Sequence, residues 1–523
     1  MLIPSTSLPW DATQANTATS LRSAATAELD DAGSATAEGV ITDFSSLAST
    51  LTTLAPLTYA APARTAPQAV QTWLSRSEDS VSKLMARNFS ASGNANRLNG
   101  LGNALLERFA SNSADFSQTV VNFVPTNSAK FDAESNAALS GVGGNATAKI
   151  ALSIRTRSGA LVNLVLSNQA NGLKVEIRSS GPLTAAERQA VGQLASGLEH
   201  TVQSITADKP RMDITGLAGY DSTVLAGIDL KVRVNRQDGP ATLEFHADSS
   251  QRTLRMQSPM DSFDMAVDLR NSALQAPPAQ REQAIASQLQ QIDQASARGH
   301  ANADWIAMVK DAFAAMQRAT GAAAESDGVG GIPSADSPLL TGLADFQLRI
   351  QSATLASNPM QLAETDSFAY QLGQKTTLSD GPQQSQRIQQ VQTSSLKARF
   401  HSALNPAVPL KLTSEKSSQN YLYTQIDDTA SSTLSIVHAP NMALQASLQT
   451  TAHQSTRVQK YLLGVLVDDK TTPKDRSARR DLVRHVRDFQ NLAETGLAQR
   501  VEKAHLRAIG TQAILLQADL DRW

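Results

Sequence analysis

A chain of 523 residues is long for a single hydrophobic core, so two or more packed units are expected. Its 46 basic and 48 acidic residues nearly cancel, which removes any global pull toward nucleic acid or an anionic membrane. There is no cysteine, and this excludes disulfides, thiolate metal sites, iron–sulfur clusters and cysteine nucleophiles together.

Residues 1–65 are rich in Ala, Ser and Thr and read as a mobile low-complexity tail. A sharper reading is a non-cleaved export signal of the kind that specialised bacterial secretion systems recognise. No basic n-region precedes Arg22 and no apolar core follows it, so a Sec signal is not expected. Nor does any run of apolar residues reach membrane-spanning length. From 66 to 145 the pattern is helical. Val70, Trp73, Leu74, Val81, Leu84 and Met85 share one face, a second helix covers Arg97–Phe109, and Phe116–Val124 reads as a strand.

The unit 146–276 is strand-rich. Ile150, Leu152 and Ile154 alternate with polar residues, as do Val162, Leu164 and Leu166, then Leu173, Val175 and Ile177. Turns fall at Ser158-Gly159, Asn171-Gly172 and Asp238-Gly239. A helix with the capping box Thr184/Glu187 and the stripe Val191, Leu194, Leu198, Val202 and Ile205 interrupts the run. Strands resume at Ile228–Val234, Leu243–Phe245, Leu254–Met256 and Phe263–Leu269. A helical hairpin is expected over 277–320 and a linker over 321–338. A second β-rich unit covers 339–470, within which the apolar Lys460–Val467 is ambiguous between strand and helix. Over 471–523, Thr472-Pro473-Lys474-Asp475 resembles a helix start, and Leu482, Val486, Phe489, Ala493 and Leu497 continue as an apolar stripe. The fold class that follows is α+β, with antiparallel β-meander units, covering helices, a helical hairpin and a long C-terminal helix.

Reactive constellations are missing from this pattern. There is no G-x-S-x-G elbow, and no two of the eight histidines stand three or four residues apart as a helical zinc pair requires. His246 and His401 alternate with apolar strand residues and are expected on an exposed polar face. Asp427-Asp428 and Asp468-Asp469 read as solvated turns, and the GVGG stretches at 141–144 and 328–331 as hinges. Catalytic, metal and cofactor residues are accordingly assigned to none. The one local charge feature is a basic face on the C-terminal helix, Arg476, Arg480, Arg484 and Arg487, suited to docking an acidic partner or to simple solvation.

From Lys149 to Val234 the chain runs from TRSGALVNLVLS, through GLKVEIRSSGPLTAAERQAVGQLASGLEHTV, to GLAGYDSTVLAGIDLKVRV. This order of hairpin, strand, capped helix and GLAGYD-type loop resembles a group of uncharacterised proteobacterial proteins. The resemblance implies a bacterial origin and carries no activity or site. The sequence thus favours a non-enzymatic bacterial binding or structural protein, cytoplasmic or exported without a cleaved Sec signal. The alternative is an effector-type enzyme whose site is not visible as a motif. A protein partner is the expected ligand, no cofactor and no membrane span are expected, nucleic acid is disfavoured, and the oligomeric state is left open.

Overall fold

Apolar residues at every second position resolve into one sheet. In the computed structural model, which describes residues 68–484 except 76–77, 127–129, 271–275, 320–338, 354–357, 381–385 and 440–441, fifteen strands join side by side. All pairings are antiparallel. The order starts with β1 (Val70–Trp73), β2 (Phe116–Phe123), β5 (Gly172–Ser179), β4 (Leu161–Gln169) and β3 (Ala148–Thr156). It continues with β6 (Leu225–Arg236), β7 (Gly239–Asp248), β8 (Gln251–Gln257), β9 (Asp261–Asp268) and β10 (Asp345–Ala353). It ends with β11 (Ser367–Asp380), β12 (Gln386–Ala403), β13 (Tyr421–Ala439), β14 (Met442–Leu462) and β15 (Val465–Asp481). From β6 onward spatial order is chain order, a meander. Because β9 pairs directly with β10, the strand-rich stretches on either side of the helical hairpin belong to the same sheet.

Helices cover one face, and one of them, Phe131–Gly141, packs Leu139 against Val121 on the other. The first group is α1 (Ser80–Phe89), α2 (Asn94–Leu98) and α3 (Leu101–Asn112), then α4 (Phe131–Gly141), α5 (Ala185–Gln193), α6 (Ala195–Thr206) and α7 (Thr215–Ala218). The hairpin is α8 (Pro278–Gly299) and α9 (Ala303–Arg318). Within the first group α3 packs on β5 and α2 on β4, while α9 lies over β9, α8 over β12, and α7 meets α9. The capping box at the start of α5 forms as expected. Hydrogen bonds from Ser158 and from the Thr184 backbone lower the Glu187 pKa to about 2.

Register carries one side-chain parity across the whole sheet. Phe116, Ile177, Leu164, Leu152, Leu230, Phe245, Leu254, Met265, Leu348 and Leu372 stand directly opposite one another in successive strands, and all are buried. Each contributes about 1.5–3 kcal/mol on burial. The same row then passes through Ser394, Ala430 and Ala452 and ends at Arg476. Toward the last strands the covered face thus becomes small and polar.

Amides and one ion pair take over there. Gln288 donates to Gln392 at 3.2 Å, and Thr341 donates to Gln374 at 2.8 Å from its hydroxyl and to Gln390 at 3.1 Å from its backbone N–H. At the end of α8, Arg298 donates to Asp428 at 2.9 Å and to Thr456 at 3.0 Å, which fastens the helix to β13 and β14. Asp428 is almost wholly buried, so loss of either partner would strand a charge.

The structure corrects four expectations. Val70–Trp73 is an edge strand, and helix begins only at Ser80, where Asp79 caps it. The helix over Arg97–Phe109 is broken at Gly100, whose φ of 72° is left-handed. Asp427-Asp428 and Asp468-Asp469 lie within strands, not turns. Thr472–Asp481 is strand, not the start of a long helix. Its residues from Ser455↔Pro473 to Ser447↔Asp481 are held by the β14 ladder, which overrides the local cap signal. A proline is tolerated there because β15 is an edge. The expected tail at 1–65, the linker at 321–338 and the continuation of the C-terminal stripe beyond 484 lie outside the described residues.

The GLAGYD loop has a packing explanation. A Cβ on Gly216 would come within 2.5 Å of the Gly197 Cα, so α6 and α7 touch backbone to backbone. Leu217 and Ala218 are fully buried beside this contact. Gly197→Ala is expected to lower unfolding stability by about 1–3 kcal/mol in urea titration; an unchanged midpoint would show that the helices have room to part.

Candidate functional site

Three connections meet at one end of the last strands: the described part of the β10–β11 loop (358–366), the β12–β13 loop (404–420) and the two-residue β14–β15 turn. Parity explains what they cover. On β12 the residues facing the helices are Ile388 to Ala398 at even numbers, so His401 points from the opposite face. Its cross-strand partner Tyr423 does the same, as do Tyr421 and Tyr461, themselves directly paired. The loop bearing Glu364 and Asp366 folds over this patch and makes a small buried layer on the face of the sheet opposite the main core.

His401 is the centre of that layer, with its side chain 1% exposed. Its Nδ1 lies 2.6 Å from Asp366, and its Nε2 lies 3.2 Å from Glu364. Asp366 also accepts the His401 backbone N–H at 3.0 Å. Burial disfavours the ring's charge, but the two carboxylates outweigh it and raise its pKa above the ordinary value. Both ring nitrogens face a carboxylate oxygen, an arrangement that favours the protonated ring.

Phenols complete the network. The Tyr421 hydroxyl donates to Glu364 at 2.6 Å and accepts from Asn358 at 2.9 Å, and Tyr421 stacks on Tyr461 with centroids 4.8 Å apart. Burial first, then the hydrogen bond to Glu364, pushes the Tyr421 pKa far up and that of Tyr461 up to about 12. Asn358 also donates to Gln419 at 2.9 Å, whose backbone carbonyl accepts the Gly464 N–H at 2.9 Å. Leu463 N–H is taken by Asn420 at 2.9 Å. All three connections are thereby tied together. The cluster thus links the three connections through one buried hydrogen-bond network.

What it positions is apolar and exposed. Leu462, Leu463, Val465, Leu466 and Val467 surround the β14–β15 turn, with Leu463 56% and Val465 63% exposed. Met360, Leu362, Leu404 and Val408 stand exposed on the neighbouring loops, Leu362 at 71%. The turn itself is strained. Leu463 and Gly464 both have positive φ, 51° and 78°, as a two-residue hairpin turn demands. The first position ordinarily goes to Asn, Asp or Gly; a leucine there costs about 1 kcal/mol or more.

Residues singled out in the sequence lie elsewhere. Arg476 and Arg480 share one face of β15, Arg484 follows the strand, and Arg487 is outside the described residues. A shallow hollow of about 450 Å³ lies near them, lined in part by His453, Asp475 and Arg476. His453 is paired with Asp475 at 2.6 Å. His246, half-buried, sits between Asp229 at 2.7 Å and Asp248 at 3.1 Å. The expectation that His246 and His401 are free on an exposed face is therefore corrected: the face is right for His401, but a loop covers it. Among the described residues no group of His, Asp and Glu is arranged to hold a metal ion. Sequence reading missed the apolar tip, although Leu463-Gly464 between two apolar runs is itself a hairpin signal.

Compared with family models, curated proteins and solved structures, the chain matches none.

The raised His401 pKa sets a direction for stability against pH. A proton bound more tightly in the folded state stabilises fully below the unfolded value of about 6.5, and this is lost as pH rises through the folded pKa. The thermal midpoint should fall as pH rises above about 6.5, and His401→Gln should flatten part of that fall. Equal slopes for the two proteins would show that the ring is uncharged. In the same assay Leu463→Asn is expected to raise the midpoint by about a degree, because Asn adopts left-handed φ at lower cost; a fall would show that the leucine side chain is packed.

Proposed function

We propose that this chain is a non-enzymatic binding protein whose working surface is the apolar end of the sheet. One observation carries the reading: a run of large aliphatic residues, Leu462 to Val467, is held in water on a rigid hairpin tip. Three loops are stapled beneath it by His401, Glu364, Asp366 and Tyr421, a buried polar network. The backbone strain at Leu463 supports the same reading, since a turn selected for stability alone would carry Asn or Gly. Exposed apolar surface of a few hundred Å², at about 25 cal/mol per Å², yields a gross gain of several kcal/mol on being covered, before ordering costs.

This reading departs from broad contact through the polar sheet faces. Those faces are occupied by their own cross-strand pairs, such as Lys231 with Glu244 and Arg255 with Asp264. Solvated pairs of this kind contribute little to binding.

Hydrophobic-interaction chromatography on a butyl matrix tests the surface directly. The triple variant Leu463→Ser, Val465→Ser, Val467→Ser should elute well ahead of the wild-type chain while its circular dichroism stays the same. Equal retention would mean that the dominant apolar surface lies elsewhere.

A further inference from the structure

Resting on that reading of the apolar end, we propose that its occupant is the interfacial layer of a lipid bilayer, into which the β14–β15 tip dips without crossing. Three features of the tip select this occupant over a second protein surface.

The first is geometry. Val465, Leu466 and Val467 are consecutive in a strand, so their side chains point alternately to both faces of the ribbon, and all three are exposed. A flat partner would cover one face and leave the other wet. A medium that surrounds the ribbon covers both. The second feature is size. The tip presents five large aliphatic side chains, against the roughly 20–30 residues that each partner of a specific protein interface contributes. That is small for a dimer yet ample for a shallow anchor.

Charge is the third. Lys460 stands directly opposite Asp468 across the hairpin, and Arg457 pairs with Asp469 beside them. Such a rim has no strong preference for an anionic surface, so a zwitterionic membrane suits it and the attraction is apolar. Depth is limited as well. Among the described residues the outer edge of Val465–Val467 has no neighbouring strand, and backbone groups without a strand partner need water or headgroups, which keeps them out of the hydrocarbon. Among the described residues no helix is long and apolar enough to cross a membrane. The stapled loops make the tip rigid, so little order has to be gained on contact.

Co-sedimentation of the full chain with phosphatidylcholine vesicles is the test, run beside analytical ultracentrifugation without lipid. The wild-type chain should pellet with vesicles, and the triple serine variant should bind at least tenfold more weakly. Raising the salt from about 0.1 M to 0.5 M should change wild-type binding less than twofold. Leu463→Asn, which keeps the turn, should show an intermediate loss. Absence of vesicle binding by the wild type, or equal binding by the triple variant, overturns the proposal. A wild-type dimer that the triple variant abolishes would overturn it too, making a second copy the occupant while the apolar end stands as the binding surface. If the variant matches the wild type on vesicles, in the ultracentrifuge and on the butyl matrix, the reading of the apolar end falls with it.

Discussion

A sheet whose main core lies on one face must keep the same side-chain parity in every strand, and the fold depends on that constraint. A slip of one residue anywhere would turn the following strands inside out. The row from Phe116 to Ala452 shows parity held across loops, a helical excursion between β5 and β6, and the long α8–α9 insertion. Large aliphatic residues enforce it in the first ten strands. Later strands rely on amide and hydroxyl partners and on the Arg298–Asp428 pair, which select register by hydrogen bonding more than by volume.

The same parity makes the candidate site. Residues on the uncovered side of β12, β13 and β14 would ordinarily be solvated. At one end the loop carrying Asn358, Glu364 and Asp366 returns over them, and a histidine between two acids becomes the cheapest way to bury so many polar atoms. Each carboxylate has a donor, each ring nitrogen an acceptor, and the tyrosines fill the space between. Rigidity passes from this layer to the turn above it through Gln419 and Asn420.

Legibility in the sequence followed the strength of alternation. The seven strands from β3 to β9, the capping box at Thr184 and the α8–α9 hairpin were all readable, because Ile, Val, Leu and Phe mark the buried side. From β12 to β15 the covered side includes Gln390, Gln392, Ser394, Ser432, Thr450 and Gln454, so hydropathy no longer separates the two faces. Lys460–Val467, now the end of β14 and the start of β15, consequently stayed ambiguous between strand and helix. Thr472-Pro473 misled for another reason: a cap signal is local, whereas β15 is specified by its partner. His401 was placed on the correct face, but a covering loop distant in sequence leaves no periodic trace. Its burial was not legible.

Pro473 falls at the middle of β15, the last strand of the sheet. With Asp468, Asp469 and Lys470 on one side and Lys474, Asp475 and Arg476 on the other, it divides the free edge into two short charged segments. An incoming strand would meet a missing donor and a fixed ring before it had formed more than a few rungs. Among the described residues this margin of the sheet therefore offers an added strand only short, interrupted stretches of backbone to pair with.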